Sequence, residues 1–173
     1  MKRQALSGIR ILIPAVFALL LSSSTAFAQT GSAVEVFGGY FAGYSSANGF
    51  TVNHDPTLGL RASHRLTQNF AVEAAATRTS DFFIAWNYEL SAKAYLLQRD
   101  HFGLFVLAGG GDERVSFEGS HSNVKTLHAA IGAEIPLSER TYLRPEIRSR
   151  WPTPSLSSAD RTTDYTIGFG WRF

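Results

Sequence analysis

The sequence predicts an all-β fold: an eight-stranded, antiparallel, up-and-down transmembrane β-barrel. Three observations predict it. The last nine residues alternate without a break, with Tyr165, Ile167, Phe169, Trp171 and Phe173 on one face and Thr166, Gly168, Gly170 and Arg172 on the other. A period of two is that of a strand. Seven earlier runs show the same alternation between turn signals. The links between runs alternate short and long, as in outer-membrane barrels, where periplasmic turns are short and extracellular loops long.

The first run spans Ala33 to Tyr44, with Val34, Val36, Tyr40, Ala42 and Tyr44 on one face. The second, Thr57 to Leu66, sets Leu58, Leu60, Ala62, His64 and Leu66 against Gly59, Arg61, Ser63 and Arg65. Thr67-Gln68-Asn69 turns the chain into the third, Phe70 to Thr79, where Phe70, Val72, Ala74 and Ala76 oppose Ala71, Glu73, Ala75 and Thr77. After Ser80-Asp81 the fourth sets Ile84, Trp86, Tyr88, Leu90, Ala92, Ala94 and Leu96 against Asn87, Glu89, Ser91, Lys93 and Tyr95. Gln98 to His101 is a turn. The fifth run, Phe102 to Gly111, leaves its phase open, because Phe102, Leu104 and Val106 compete with Phe105 and Leu107. The sixth, Val124 to Ile135, sets Leu127, Ala129, Ile131, Ala133 and Ile135 against Thr126, His128, Gly132 and Glu134. Pro136 to Arg140 turns into the seventh, Thr141 to Trp151, where Leu143, Pro145, Ile147 and Trp151 oppose Arg144, Glu146, Arg148 and Arg150. Proline removes a ladder donor, so Pro145 suggests a bulge. The eighth run closes the barrel. The links Ser45–Pro56, Asp112–Asn123 and Pro152–Asp164 are long and polar and are expected to be extended surface loops. An even strand count places both termini on the periplasmic side.

The barrel is expected to occupy residues 29–173. Lys2, Arg3 and Arg10 precede an apolar run, Ile11 to Leu21, and then Ala26-Phe27-Ala28. This is a charged region, an apolar region and an Ala-x-Ala cleavage site, so residues 1–28 read as a signal peptide cleaved after Ala28. Eleven residues interrupted by Pro14 are too few for an N-terminal anchor, which needs about 20. Without this segment 13 basic residues stand against 14 acidic, a formal charge of −1. No basic patch for nucleic acid is expected. The chain has no cysteine, which excludes disulfides, thiolate catalysis and cysteine metal sites. No later stretch is apolar for 18 residues, so no membrane helix is expected.

Alternation alone permits two structures. A soluble lipocalin-type barrel points its apolar face inward, and a membrane barrel points it at lipid. On a lipid face each mid-strand base would cost about 2–4 kcal/mol at the midplane, so in a membrane the charged face must line the lumen. The membrane reading is favoured by the aromatic closing strand and by Trp86, Tyr88, Trp151, Tyr165 and Trp171 near strand ends, where interfacial girdles lie. The charged face is also rich in Gly, Ala and Ser, and only Lys93 and Lys125 remain as lysines after residue 28. The inward charges are Glu35, Glu73, Glu89, Glu134 and Glu146 against Arg61, Arg65, Lys93, Arg144, Arg148 and Arg172. Eight strands leave an interior that side chains can fill, and unpaired buried charge is costly. The expectation is therefore a cross-linked structural plug, with pairs such as Glu134–Arg144, rather than an ion path.

With these residues in place the chain resembles the small OmpA/OmpX-like barrels of the outer membrane protein β-barrel domain family. The carriers are Val36-Phe37-Gly38-Gly39-Tyr40, Leu58-Gly59-Leu60-Arg61-Ala62, Ala71-Val72-Glu73-Ala74, Ala130-Ile131-Gly132-Ala133-Glu134, Arg144-Pro145-Glu146-Ile147-Arg148 and Gly168-Phe169-Gly170-Trp171-Arg172-Phe173. The resemblance covers the whole chain after the signal. It implies a bacterial outer-membrane location, contact with outer-membrane lipids, and recognition by the barrel-assembly machinery through Tyr165, Phe169, Trp171 and Phe173. No periplasmic peptidoglycan-binding domain is expected after the barrel, where the sequence ends; the resemblance implies little about activity, since such folds serve many roles.

Candidate chemistry is sparse. The lipid A deacylases of this size carry a His-x-Ser pair on an outward strand face with an acidic partner, and the sequence shows no such pair. Ser63-His64 reads as interfacial. Ser120-His121-Ser122-Asn123 reads as a polar loop. His128, inward beside Glu134, reads as part of the polar core. His54-Asp55 and Asp112-Glu113 lack metal-ligand spacing, and Gly109-Gly110-Gly111 opens no helix that could cradle phosphate. No cofactor or metal is expected. The expected role is structural or surface-interacting, with any extracellular ligand held by loops 45–56, 112–123 and 152–164. The alternatives are a narrow pore and an outer-membrane lipid A-modifying enzyme, to be tested by conductance and by acyl-chain release lost on His128→Ala or His121→Ala.

Overall fold

The computed structural model describes residues 31–43, 55–80, 84–117, 120–153 and 161–173. The signal segment with Ala26 and Ala28, and residues 44–54 (with His54) and 154–160, lie outside the described residues. Eight antiparallel strands follow one another: β1 (Ser32–Gly43), β2 (Asp55–Arg65), β3 (Phe70–Ser80), β4 (Ile84–Arg99), β5 (Phe102–Phe117), β6 (Ser120–Pro136), β7 (Thr141–Pro152) and β8 (Thr162–Arg172). Each pairs with its sequence neighbour, and β8 returns to β1 to close the barrel. Among the described residues, no helix is long and apolar enough to cross a membrane.

The register fixes the dimensions. Passing from partner to partner, Ala33 leads to Ser63, Glu73, Ser91, Gly109, His128, Arg150, Thr162 and back to β1 at Gly43, a stagger of ten residues. With about 3.3 Å per residue and about 4.8 Å between strands, eight strands at this stagger tilt by roughly 40° around a backbone radius of roughly 8 Å. A long side chain on any wall therefore reaches the axis.

The two faces are opposite in character. Glu35, Arg61, Glu73, Glu89, Lys93, Glu134, Arg144, Glu146 and Arg148 are buried, while Leu58, Leu90, Ile131, Ile167 and Phe169 are exposed. A soluble barrel would show the reverse, and only a hydrocarbon surround makes this wall favourable. Strand β5 resolves in phase: Phe105 and Leu107 are buried, and Phe102 and Leu104 are exposed. Phe105 lies across Gly132, its cross-strand partner, where an added Cβ would come within 2.4 Å of the ring. Tyr142 uses Gly170 in the same way, at 2.1 Å. Bare glycine backbone lets these rings lie flat against the wall.

At the end carrying the termini the connections are short. Thr67 and Ser138 each cap a turn, their hydroxyls accepting backbone N–H groups from Asn69 and Phe70 (3.3 and 3.1 Å) and from Arg140 and Thr141 (3.2 and 3.1 Å).

Three expectations need correction. Residues 112–123 are not an extended loop: β5 and β6 stay paired from Asp112↔Lys125 to Phe117↔Ser120. Polar composition misleads there because a hairpin rising beyond the apolar band needs no apolar face. Asp55, Pro56 and Thr162–Asp164 likewise belong to strands. Pro145 makes no bulge: β6–β7 pairing lapses between Gly132↔Glu146 and Ile135↔Leu143 and resumes in the same register, while Pro145 still faces Ile167 on β8. The register shift falls instead between Tyr95 and Leu97 on β4.

Candidate functional site: the ionic core of the lumen

Strand alternation delivers the charges. Strand β7 sends Arg144, Glu146, Arg148 and Arg150 inward as one spine. Glu35 on β1, Arg61 on β2, Glu73 on β3, Glu89 and Lys93 on β4, Glu134 on β6, and Asp164 and Arg172 on β8 close around it. Strand β5 supplies no ion pair among the described residues. Its Phe105 face receives Lys93 and Arg144, whose cationic groups lie 4.8 and 4.5 Å from the ring centre, within cation–π range.

The bridges form one connected chain along the lumen. Near the terminal mouth Arg172 donates to Glu134 (2.8 Å), which also accepts from Lys93 (3.1 Å) and the Tyr95 hydroxyl (2.9 Å). Lys93 passes the chain to Glu73 at 3.2 Å. Glu73 accepts from Arg144 at 2.5 and 3.2 Å and from Arg148 at 3.2 Å. Glu146 accepts from Arg61 and Arg148, each at 3.0 Å, and from Arg144. Glu35 binds Arg61. Toward the other end Glu89 binds both Arg148 and Arg150, and Arg150 reaches Asp164. Six acids thus meet six bases. Arg172 alone among them keeps a substantial exposed fraction, 34% of its side chain.

This balance follows from electrostatics. Desolvating one ion costs several kcal/mol, and only near-complete pairing and hydrogen bonding offset it. Planar guanidinium suits the task because it binds two carboxylates at once.

Of the residues the sequence singled out, Arg61, Glu73, Glu89, Lys93, Glu134, Arg144, Glu146, Arg148 and Arg172 all join this network. Arg65 does not: its guanidinium lies 4.3 Å over the Tyr95 ring and donates to Gln98 at 3.3 Å. The suggested Glu134–Arg144 pair is replaced. Glu134 is held by Lys93, Tyr95 and Arg172, and Arg144 by Glu73 and Glu146, because the stagger brings β7 level with β3 across the lumen. Arg150 and Asp164 were absent from the expected set. Arg150 was legible from its inward phase on β7. Asp164 gives no such signal, because it lies in a polar stretch at the start of β8.

His128 is buried, but its neighbours are not Glu134. Its Nε2 lies 2.7 Å from Ser91 Oγ, and its Nδ1 lies 3.8 Å from Glu89. Serine, histidine and carboxylate recur in hydrolases, but here both Glu89 oxygens are taken by Arg148 and Arg150 and all three residues are buried. His64 sits near the terminal mouth, 3.0 Å from Ser32 Oγ. Side-chain placement at His121 lies outside the described residues. No cluster of metal-ligating side chains occurs among the described residues.

An inverted barrel with a lipid-compatible wall and an ion-filled lumen is a membrane protein of the bacterial outer-membrane class. The chain belongs to the outer membrane protein beta-barrel domain family, which matches residues 14–173. Its structure is similar to the N-terminal β-barrel domain of Pseudomonas aeruginosa OprF, at 13% identity and a TM-score of 0.68 over 84% of this chain and 98% of that one. It is also similar to Neisserial surface protein A, at 15% identity and a TM-score of 0.67 over 82% and 97%. A third similar structure is the attachment invasion locus protein Ail of Yersinia pestis, at 12% identity and a TM-score of 0.59 over 84% and 99%. These likenesses show the fold. No curated protein sequence matches the chain.

Proposed function

We propose that this protein is a non-conducting outer-membrane barrel with a structural and surface-interaction role. The observation that carries this is the continuous chain of paired charges from Arg172 to Asp164. It fills the interior with groups whose separation would strand ions in a desolvated space. In this reading the termini and capped turns face the periplasm. The β5–β6 hairpin, rising to Phe117 and Ser120, projects outward and, together with residues 44–54 and 154–160, carries recognition of an extracellular ligand. Tyr165, Phe169, Trp171 and Phe173 present the outward face read by the assembly machinery, after removal of residues 1–28.

Planar-bilayer recording of the refolded chain tests the plug: no unitary current steps are expected, and steady ohmic steps would overturn it. The non-enzymatic reading is tested by incubating the protein with lipopolysaccharide. Acyl-chain release that disappears on His128→Ala or His121→Ala would refute it.

A further inference from the structure

The outer wall carries charge at the end away from the termini. On β3, the outward positions from Ala76 to Phe70 are uncharged, as are those on β4 from Tyr88 to Leu96. Above them one cross-strand row reads Leu58, Arg78, Trp86 and Arg114. The two arginines therefore stand on either side of one indole. Trp86 stacks with Tyr88, ring centres 6.3 Å apart and 10° from parallel. The Arg78 guanidinium lies 5.9 Å from the Trp86 ring and that of Arg114 lies 5.6 Å from Tyr88. Contacts at these distances are weak and leave the guanidinium donors available.

Lys125 lies outward on the next row, with Asp112 as its cross-strand partner. None of the ion pairs among the described residues involves Arg78, Arg114, Lys125 or Asp112, so three bases stand against one acid. The height of the patch is set by geometry. Ten residues separate Trp86 from Leu96 on β4, and at roughly 40° of tilt they span roughly 25 Å along the barrel axis, the height of an outer-membrane apolar band. If Leu96 marks one edge of the hydrocarbon, Trp86 marks the other, and the arginines lie where headgroup phosphates lie.

We propose that Arg78 and Arg114, with the Trp86–Tyr88 stack between them, form a binding site for the phosphate of a lipid headgroup in the outer leaflet. Leu58 and Leu90, both exposed on the same wall, receive its acyl chains. Planar guanidinium donors match phosphate oxygens bidentately. The aromatic pair supplies a rigid, amphipathic floor at the interface. The assignment to the outer leaflet rests on the orientation proposed above.

The test is calorimetric titration of the refolded full chain in phosphate-free maltoside micelles. Bisphosphorylated lipid A should bind at least about tenfold tighter than the same lipid after enzymatic dephosphorylation, and equal affinities would overturn the proposal without any variant. Each lost charge-assisted contact is worth about tenfold, so Arg78→Gln with Arg114→Gln should bring lipid A to the dephosphorylated level. Arg99→Gln, at the opposite end, should leave it unchanged, and unaltered affinity in the double variant would refute the site. Displacement of lipid A by millimolar inorganic phosphate would assign the site to free phosphate and overturn the lipid component. Orientation is read separately. In the cysteine-free chain, Asn123→Cys should react with an impermeant maleimide on intact cells. Failure there overturns the leaflet assignment, while the micelle affinities still decide the site.

Discussion

Glu73 is the residue whose neutralisation most directly tests the ionic core. Its carboxylate accepts three hydrogen bonds from Arg144 and Arg148, with Lys93 a further 3.2 Å away and Arg61 at 3.9 Å. Glu73→Gln keeps the volume and removes one charge. Three charge-assisted bonds at about 1.5–3 kcal/mol each give roughly 5–9 kcal/mol gross. The several kcal/mol needed to desolvate the carboxylate is no longer spent, and glutamine still accepts one bond. The net loss is about 3–5 kcal/mol, the range for breaking a buried pair, or about a hundredfold to several thousandfold in the folded ratio. Urea unfolding in lipid vesicles, with folded protein scored by heat-modifiable migration on unboiled gels, measures it. Combining Glu73→Gln with Lys93→Met should destabilise by less than the sum of the single variants, because each single change leaves the other residue buried without this partner. A loss below about 1 kcal/mol, or strict additivity, would refute the account of the lumen as mutually compensating charges.

Other outcomes follow from the same geometry. Glu134→Gln should cost less, about 1–3 kcal/mol, because Arg172 can turn to water; unchanged heat stability would remove Glu134 from the structural set. Gly170→Ala drives a methyl to 2.1 Å from the Tyr142 ring, and overpacking of this kind costs about 1–3 kcal/mol, readable as a lower urea midpoint. Removing Glu89 and Arg148 together by alanine substitution opens water-accessible space in the lumen, so bilayer recordings should show the first current steps in this double variant. Phe173→Ala should lower the heat-modifiable fraction in outer-membrane preparations while leaving in vitro refolding intact. A loss of both together would point to stability rather than recognition.

Much of this molecule was written in its periodicity. Strands β2, β3, β4, β7 and β8 show both faces in sequence because lipid demands an unbroken apolar row and a narrow lumen demands small or charged ones. Strand β5 did not, since Phe105 and Leu107 point inward and erase the contrast. Their reason lies on other strands: Gly132 gives Phe105 room, and Lys93 and Arg144 pack on it. The hairpin above Asp112 leaves no alternation in the sequence, because only hydrogen bonding, not burial, defines a strand beyond the apolar band. Inward charge was visible residue by residue, but partnership was not. Which acid meets which base depends on a ten-residue stagger around a closed sheet, a property that no single strand contains.

That stagger has a consequence for how the protein comes into being. The ion chain draws on β1, β2, β3, β4, β6, β7 and β8; neighbours such as β1 and β2 hold a pair between them, but the β7 arginines reach acids on β3, β4 and β8. A sheet without its cross-lumen acids would leave the β7 arginines uncompensated, at a cost of several kcal/mol for each desolvated ion. Pairing of β8 with β1 closes the cylinder and completes the enclosure of these charges, so the balance of the ionic core is a property of the closed barrel rather than of any one hairpin.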